Sequence, residues 1–143
     1  MYLEVKDVKK SYGKDNSYIQ VLKGISTSLE EGQMCVIQGT SGSGKSTLLN
    51  CIGGLDTMDS GSITVDGTEI FGMKPNQLSD YRRDNLGFIF QFYNLVPNLT
   101  VRENIQICEY IADDPLDIDE LLETDDIAQL RLPSFMTLFH CSD

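Results

Sequence analysis

Nine consecutive residues, 39–47, have the side-chain types and the spacing needed to bind a chain of phosphate groups. They read Gly-Thr-Ser-Gly-Ser-Gly-Lys-Ser-Thr and fit the pattern G-x-x-x-x-G-K-[ST]. In such a loop, glycines let backbone N–H groups turn towards phosphate oxygens, the lysine ammonium neutralises the β- and γ-phosphates, and the next hydroxyl ligates Mg²⁺. The segment, which we call the phosphate loop, therefore predicts a binding site for a nucleoside triphosphate.

Each residue of the phosphate loop receives a predicted role. Lys45 is predicted to neutralise the phosphate oxygens, Ser46 to ligate Mg²⁺, and Thr47 to complete the nucleotide contact. The preceding backbone is predicted to surround the β-phosphate through Gly39, Thr40, Ser41, Gly42, Ser43 and Gly44. A chance glycine-serine linker is the alternative, and it is disfavoured because linkers rarely lie between an apolar strand and an apolar helix.

The residues on either side of the phosphate loop have the patterns of a strand and a helix. Met34–Ile37 is an apolar run and predicts a buried strand, whereas Ser46–Ile52 predicts the following helix. A strand, a glycine loop and a helix in this order direct the N-terminus of the helix at phosphate.

The net charge narrows the classes of partner. The 143 residues include 22 acidic and 11 basic side chains, a formal charge of -11, which opposes nucleic acids and anionic lipid headgroups alike. We therefore expect no nucleic acid partner.

There is no signal-peptide layout and no apolar run near the roughly 18 residues of a membrane helix. No direct membrane insertion is therefore expected, and any membrane association would require a partner. The acidic side chains within 109–126 predict a solvated face rather than a cation site.

The four cysteines, Cys35, Cys51, Cys108 and Cys141, show no C-x-x-C spacing. Because they lie among apolar neighbours, they predict small buried side chains in a reducing cytosol.

Two pairs of strands are predicted before and after the phosphate loop. Residues 2–8 and 20–29 predict an antiparallel ribbon, with a turn over 13–17. Residues 62–65 and 68–71 predict a hairpin around Asp66-Gly67.

The second half of the chain predicts further elements. A short polar helix over 78–85 is followed by a buried strand over 86–90, which ends at Gln91. A capping-box pattern from Thr100 to Glu103 predicts a helix that runs to about residue 112, and residues 116–130 predict an acidic helix. No element is predicted for residues 131–143.

Taken in this order, the motifs resemble the first part of an ATP-binding-cassette ATPase domain, the motor subunit of ABC transporters. The resemblance covers residues 1–130. Tyr12 stands where the family places an aromatic side chain that stacks on adenine, and Val21 is expected to form the other side of the base pocket. Gln91 matches the glutamine of the family's Q-loop, whose amide reaches Mg²⁺ and the attacking water. The matching sequence is Phe-Ile-Phe-Gln-Phe-Tyr-Asn-Leu-Val-Pro-Asn-Leu-Thr-Val-Arg-Glu-Asn-Ile.

The resemblance implies a fold, ligands and partners. The implied fold is α/β, a P-loop NTPase of the ABC type, with an antiparallel β ribbon, a partial parallel core sheet and the start of a helical subdomain over 100–130. The implied ligands are ATP and Mg²⁺, the latter bound by Ser46 and Gln91. The implied partners are a transmembrane ABC subunit and a second ATPase subunit, which would place the protein in the cytoplasm at the inner face of the membrane.

Three further sequences are similar to one branch of the family, the ATPases of lipoprotein release, macrolide export and antimicrobial-peptide efflux. They are Gly53-Gly54-Leu55-Asp56, Ser60-Gly61-Ser62-Ile63, and Arg82-Arg83-Asp84-Asn85-Leu86-Gly87-Phe88-Ile89-Phe90-Gln91. Membrane subunits select the substrate in that branch, so this chain identifies none.

Residues 131–143 depart from the family pattern before its signature, Walker B and switch-histidine motifs are due, and they predict a non-matching tail. A Walker B role for 110–114 is disfavoured because these residues continue a capped helix, and His140 is interpreted as incidental. Strands that would flank the phosphate-loop strand are missing with these motifs, which predicts exposed apolar faces. Hydrolysis requires a carboxylate beside the attacking water, so we expect ATP binding with hydrolysis lost.

Two alternatives remain open. One is a non-hydrolysing nucleotide-binding or interaction module that docks on a membrane subunit or on an intact ATPase. The other is a soluble ABC-type ATPase of DNA repair or translation, which the acidic composition disfavours.

Overall fold

The computed structural model describes residues 1–89, 95–110, 117–119 and 136–139. The chain divides into two compact units, Met1–Arg82 and Arg83–Cys141. Each unit is built around its own sheet.

The first unit contains a four-stranded antiparallel sheet with the strand order β2-β1-β3-β4. Its strands are β1 (Leu3–Tyr12), β2 (Ile19–Leu29), β3 (Ser60–Val65) and β4 (Thr68–Glu69). A short 3-10 helix, Asp15–Ser17, lies in the turn between the first two strands. The predicted ribbon and the predicted hairpin are therefore both confirmed.

A bulge at Asp7 changes which side chains of β1 face the core. Leu3 and Val5 are buried, and burial then resumes at Val8 and Lys10, so the alternation shifts by one residue. The pairing register is interrupted between Val5 and Val8, and Asp7 adopts a φ of 45° while its N–H donates to Ser26 Oγ at 2.9 Å. Bulges redirect the side chains that follow them, and this one turns Lys10 inward.

Helix α1 (Lys45–Ile52) follows the phosphate loop, as predicted, and buries Leu48, Cys51 and Ile52. Helix α2 (Pro75–Asn85) begins three residues before the predicted start. The buried Tyr81 donates its hydroxyl to the Ile52 carbonyl at 2.8 Å, and Arg82 donates to the Gly54 carbonyl at 2.7 Å. These two bonds satisfy backbone groups at the C-terminal end of α1.

The prediction of a buried strand over Met34–Ile37 is wrong. The segment is not a strand, Met34 is 91% exposed, Val36 is 72% exposed and Cys35 is also exposed. A strand needs a neighbour to pair with its N–H and C=O groups, and no strand among the described residues pairs with this segment. Its exposure agrees with the expectation of uncovered apolar faces beside the phosphate loop.

The second unit contains β5 (Leu86–Ile89), α3 (Val101–Glu109) and β6 (Met136–Phe139). Strands β5 and β6 run parallel, with Leu86 opposite Met136 and Ile89 opposite Phe139. Strand β6 was not predicted, since a four-residue strand is too short to show a period. Leu86 is buried but Ile89 is 51% exposed, so only the start of β5 is buried as predicted.

The predicted capping box begins α3. The Glu103 carboxylate accepts from the Thr100 N–H at 2.7 Å, and the Glu103 N–H donates to Thr100 Oγ1 at 3.2 Å. The predictions for Gln91, the helix end at 111–112, His140 and most of the acidic helix lie outside the described residues. Within the described ranges, no helix is both long and apolar enough to cross a membrane.

Candidate functional site

The phosphate loop packs against strand β2 at its last glycine. Gly44 is the N-cap of α1 with a φ of 91°, and a Cβ built there would lie 2.9 Å from Val21 Cγ1 and 3.1 Å from Leu22 Cδ2. Only glycine combines this left-handed backbone with so close an approach. The first N–H groups of α1 have no intrahelical partner and carry partial positive charge, so the helix directs an anion-binding end into the loop.

Lys45 closes the phosphate loop from inside. Its Nζ donates to the carbonyl oxygen of Gly39 at 2.6 Å and to that of Thr40 at 3.0 Å. The loop is tight, because a Cβ at Gly39 would lie 2.5 Å from Ser43 Oγ. The ammonium is thus held among loop carbonyls, which phosphate oxygens can replace as stronger, charged acceptors.

The residues predicted to bind Mg²⁺ can be judged by the chemistry of their donors. Ser46 is exposed in the first turn of α1, directly after Lys45. Mg²⁺ usually takes one or two protein oxygens together with substrate phosphates and water, and a serine hydroxyl beside a phosphate loop fits that arrangement. Gln91 lies outside the described residues. No group of three or more His, Cys, Asp or Glu side chains within the described ranges could hold a metal by itself.

The two residues predicted for the base pocket both lie against the phosphate-loop region. Tyr12 is at the end of β1 and 42% exposed, and its hydroxyl lies beside Thr47 in the first turn of α1. Val21 is half-buried on β2 beside Gly44. The structure therefore places Tyr12, Val21 and the loop in one region of the first unit.

Sequence reasoning missed a charged pair that supports Tyr12. Lys10 is 7% exposed and is the one buried charged side chain among the described residues. Its Nζ lies 2.9 Å from Asp56 Oδ1 and 5.0 Å from the centre of the Tyr12 ring, while the Tyr12 hydroxyl donates to Asp56 Oδ2 at 2.5 Å. Asp56 thus joins two residues of β1 to the turn that follows α1.

The pair stabilises its own charged forms. Burial alone would lower the pKa of Lys10, but the hydrogen bond and the negative charge of Asp56 outweigh it and raise that pKa. Burial would raise the pKa of Asp56, but the hydrogen bonds from Tyr12, Lys10 and the Thr57 N–H outweigh it and lower that pKa. The pKa of Tyr12 is raised by its burial and by the Asp56 carboxylate. At neutral pH the site therefore holds an ammonium, a carboxylate and a neutral phenol.

A signal for the burial of Lys10 was present in the sequence. The apolar residues Leu3, Val5 and Val8 are spaced by two and then by three, which is typical of a bulge in a strand. Continuing the shifted alternation places Lys10 on the buried face, where a lysine needs a carboxylate partner.

The sequence of this chain is similar to a protein-family profile and to several known proteins. A protein-family profile described as ABC transporter matches residues 22–137. The chain is 47% identical over 103 residues to the bacitracin export ATP-binding protein BceA of Halalkalibacterium halodurans, covering 72% of this chain and 41% of that protein. It is 43% identical over 112 residues to the lipoprotein-releasing system ATP-binding protein LolD of Porphyromonas gingivalis, covering 78% of this chain and 49% of that protein. It is 46% identical over 105 residues to the macrolide export ATP-binding/permease protein MacB of Neisseria gonorrhoeae, covering 73% of this chain and 16% of that protein.

A solved structure is similar in fold. The dimeric ATP-binding cassette MJ0796, in a post-hydrolysis state bound to ADP and Pi, is 35% identical with a TM-score of 0.74, covering 82% of this chain and 51% of that one. The chain spans about half of that cassette and at most 49% of the three relatives.

Proposed function

Because this chain belongs to the ABC transporter family, we propose that it is the ATP-binding part of an export-type ABC transporter. The names of three relatives support this: two are export ATP-binding proteins, of bacitracin and of macrolides, and one is the ATP-binding protein of a lipoprotein-releasing system. The observation that carries the proposal is Lys45, whose ammonium lies inside a tight glycine loop at the N-terminus of α1.

In the proposed complex each residue has one task. Backbone N–H groups of the loop and of the first turn of α1 bind the β-phosphate, and Lys45 exchanges its carbonyl partners for β- and γ-phosphate oxygens. Ser46 and Gln91 supply oxygen ligands to Mg²⁺, which would neutralise charge on the phosphates. Adenine stacks on Tyr12, with Val21 on the other side of the base.

We propose that the 143-residue chain binds ATP without hydrolysing it. The sequence offers no convincing carboxylate to activate the attacking water, and no signature motif for a partner's site. Residues 1–130 would form the cassette portion, working in the cytoplasm with a transmembrane subunit and a second ATPase subunit. Dimeric MJ0796 supports the latter partner.

An alternative function is an interaction module that docks on a membrane subunit or on an intact ATPase. The exposed Met34 and Val36 favour it, because exposed apolar side chains beside an unpaired backbone segment are a surface for pairing with another chain. Nucleotide binding and docking are compatible, so release of phosphate is the measurement that separates this module from an active ATPase subunit.

Calorimetry with Mg²⁺ and ATP tests the proposal, using the folded wild-type chain, Lys45→Ala and the control Lys74→Ala. Lys74 is an exposed lysine directly before α2, so its replacement removes the same charge away from the loop. We expect saturable binding by the wild type and the control, and an affinity at least about tenfold lower for Lys45→Ala. A folded wild type that binds no ATP would overturn the proposal, and steady release of phosphate would overturn its non-hydrolysing part.

A further inference from the structure

Three side chains of the first unit form a connected group between strand β1 and the turn after helix α1: Lys10, Tyr12 and Asp56. We propose that Asp56 is a positioning residue for the base of the nucleotide, because it fixes the Tyr12 ring relative to the helix that presents the phosphate loop. The inference rests on the proposed function, in which Tyr12 stacks on adenine.

The Tyr12 hydroxyl is held by a hydrogen bond to a fixed carboxylate. It donates to Asp56 Oδ2 at 2.5 Å, and Thr47 lies beside it. The side chain is nevertheless 42% exposed, so a face of the ring remains available for a base. A ring fixed at its far end loses less conformational freedom when a ligand stacks on it than a freely rotating ring does. The hydrogen bond to Asp56 therefore prepares Tyr12 for stacking.

Asp56 is itself fixed by groups that do not touch the ligand. Its Oδ1 accepts from Lys10 Nζ at 2.9 Å and from the Thr57 N–H at 2.7 Å, which leaves Oδ2 for Tyr12. Lys10 also donates to the Thr57 carbonyl at 2.5 Å, so the ammonium is bound to both ends of this short segment. The bulge at Asp7 supplies this geometry, because it turns Lys10 towards the core and places Tyr12 two residues further along the strand.

Asp56 connects the base site to the helix that presents the phosphate loop. Its N–H donates to the carbonyl oxygen of Asn50 in α1 at 3.2 Å, and its carboxylate accepts from Tyr12. A shift of the phenol would therefore change the distance between the stacked base and the bound phosphates, which one nucleotide must span. This predicts that loss of the hydrogen bond between Tyr12 and Asp56 weakens binding of a nucleotide but not of a phosphate chain without a base.

Two variants and two ligands test the inference. Tyr12→Phe keeps the ring and removes only the hydroxyl, and Asp56→Asn removes the charge while preserving the size of the side chain. Their affinities for ATP and for inorganic tripolyphosphate, both with Mg²⁺, are compared with the wild type. We expect ATP affinity to fall about threefold to tenfold in each variant and tripolyphosphate affinity to stay unchanged. Tyr18→Phe, which removes the hydroxyl of another exposed tyrosine, is expected to change neither.

The outcomes separate the two proposals. If the folded wild type binds neither ligand, the proposed function fails, and this inference fails with it. If wild-type ATP binding depends on Lys45 but both variants bind ATP like the wild type, or lose affinity for both ligands equally, the positioning role alone is overturned. Should Asp56→Asn fail to fold, Tyr12→Phe decides the question, because it retains the pair between Lys10 and Asp56.

Discussion

Lys10 and Asp56 are separated by 46 positions in the sequence, yet Lys10 Nζ lies 2.9 Å from Asp56 Oδ1. This pair links the sheet of the first unit to the turn after α1, and it lies directly beneath Tyr12. Since the Lys10 side chain is only 9% exposed and that of Asp56 28%, solvent screens the pair less than it screens a surface ion pair.

We expect Lys10→Met to destabilise the first unit by about 2 kcal/mol, because a partly buried carboxylate would lose its charged partner. The measurement is urea denaturation at neutral pH. Lys6→Met is the matched control: Lys6 also pairs with a carboxylate, that of Glu4 at 2.7 Å, but its side chain is 63% exposed. Lys6→Met should lower the free energy of unfolding by less than about 0.5 kcal/mol. Equal losses in the two variants would show that the buried pair contributes no more than the exposed one.

The stabilisation by this pair should depend on pH at both extremes. The pKa of Asp56 is lowered from 3.8 in the folded state, so its contribution is present above about pH 4 and is lost as the pH falls through the folded value. The pKa of Lys10 is raised from 10.5, so its contribution is present below that pH and is lost as the pH rises through the folded value. The difference in unfolding free energy between wild type and Lys10→Met should therefore be constant from about pH 5 to 9 and shrink below pH 4. A difference that grows on acidification would contradict the assigned ion pair.

The sequence predicts those parts of the fold that local patterns determine. The ribbon, the hairpin, α1 and the capping box of α3 all follow from alternation, turn residues or capping residues close to one another in the chain. The prediction of a buried strand at Met34–Ile37 was wrong because an apolar run indicates only a preference for burial. A strand forms only when a neighbouring strand pairs with it. The phosphate loop was predictable because its residues are contiguous. The spacing of Leu3, Val5 and Val8 signals that Lys10 is buried, but nothing in the sequence identifies Asp56 as its partner, because the two residues are 46 positions apart.

The two cysteines with described side chains should react very differently with thiol reagents. Cys51 is 3% exposed on α1, and burial together with the Asp56 carboxylate raises its pKa to about 11, whereas Cys35 is exposed. The prediction that all four cysteines are buried is thus confirmed for Cys51 and wrong for Cys35. Because the thiolate is the reactive form, iodoacetamide at pH 8 should modify Cys35 in the folded protein and Cys51 only after unfolding. Peptide mapping by mass spectrometry resolves the sites, and rapid native labelling of Cys51 would contradict the packing of α1.

Gly44→Ala tests whether the phosphate loop depends on close packing or only on backbone conformation. Gly44 and Gly67 both adopt positive φ, 91° and 74°, but a Cβ at Gly44 would lie 2.9 Å from Val21 Cγ1 whereas one at Gly67 would meet nothing within 4 Å. Gly67→Ala should therefore cost only the backbone strain, about 1 kcal/mol.

Gly44→Ala should lower the free energy of unfolding by about 1–2 kcal/mol more than the control Gly67→Ala does, because Val21 or the start of α1 must move. The same movement would displace Lys45 and the first N–H groups of α1, so ATP affinity should fall in Gly44→Ala and remain at the wild-type value in Gly67→Ala. Denaturation and calorimetry on the same samples measure both effects. Equal stability losses combined with equal ATP affinities would mean that the contact between Gly44 and Val21 positions nothing in the phosphate loop.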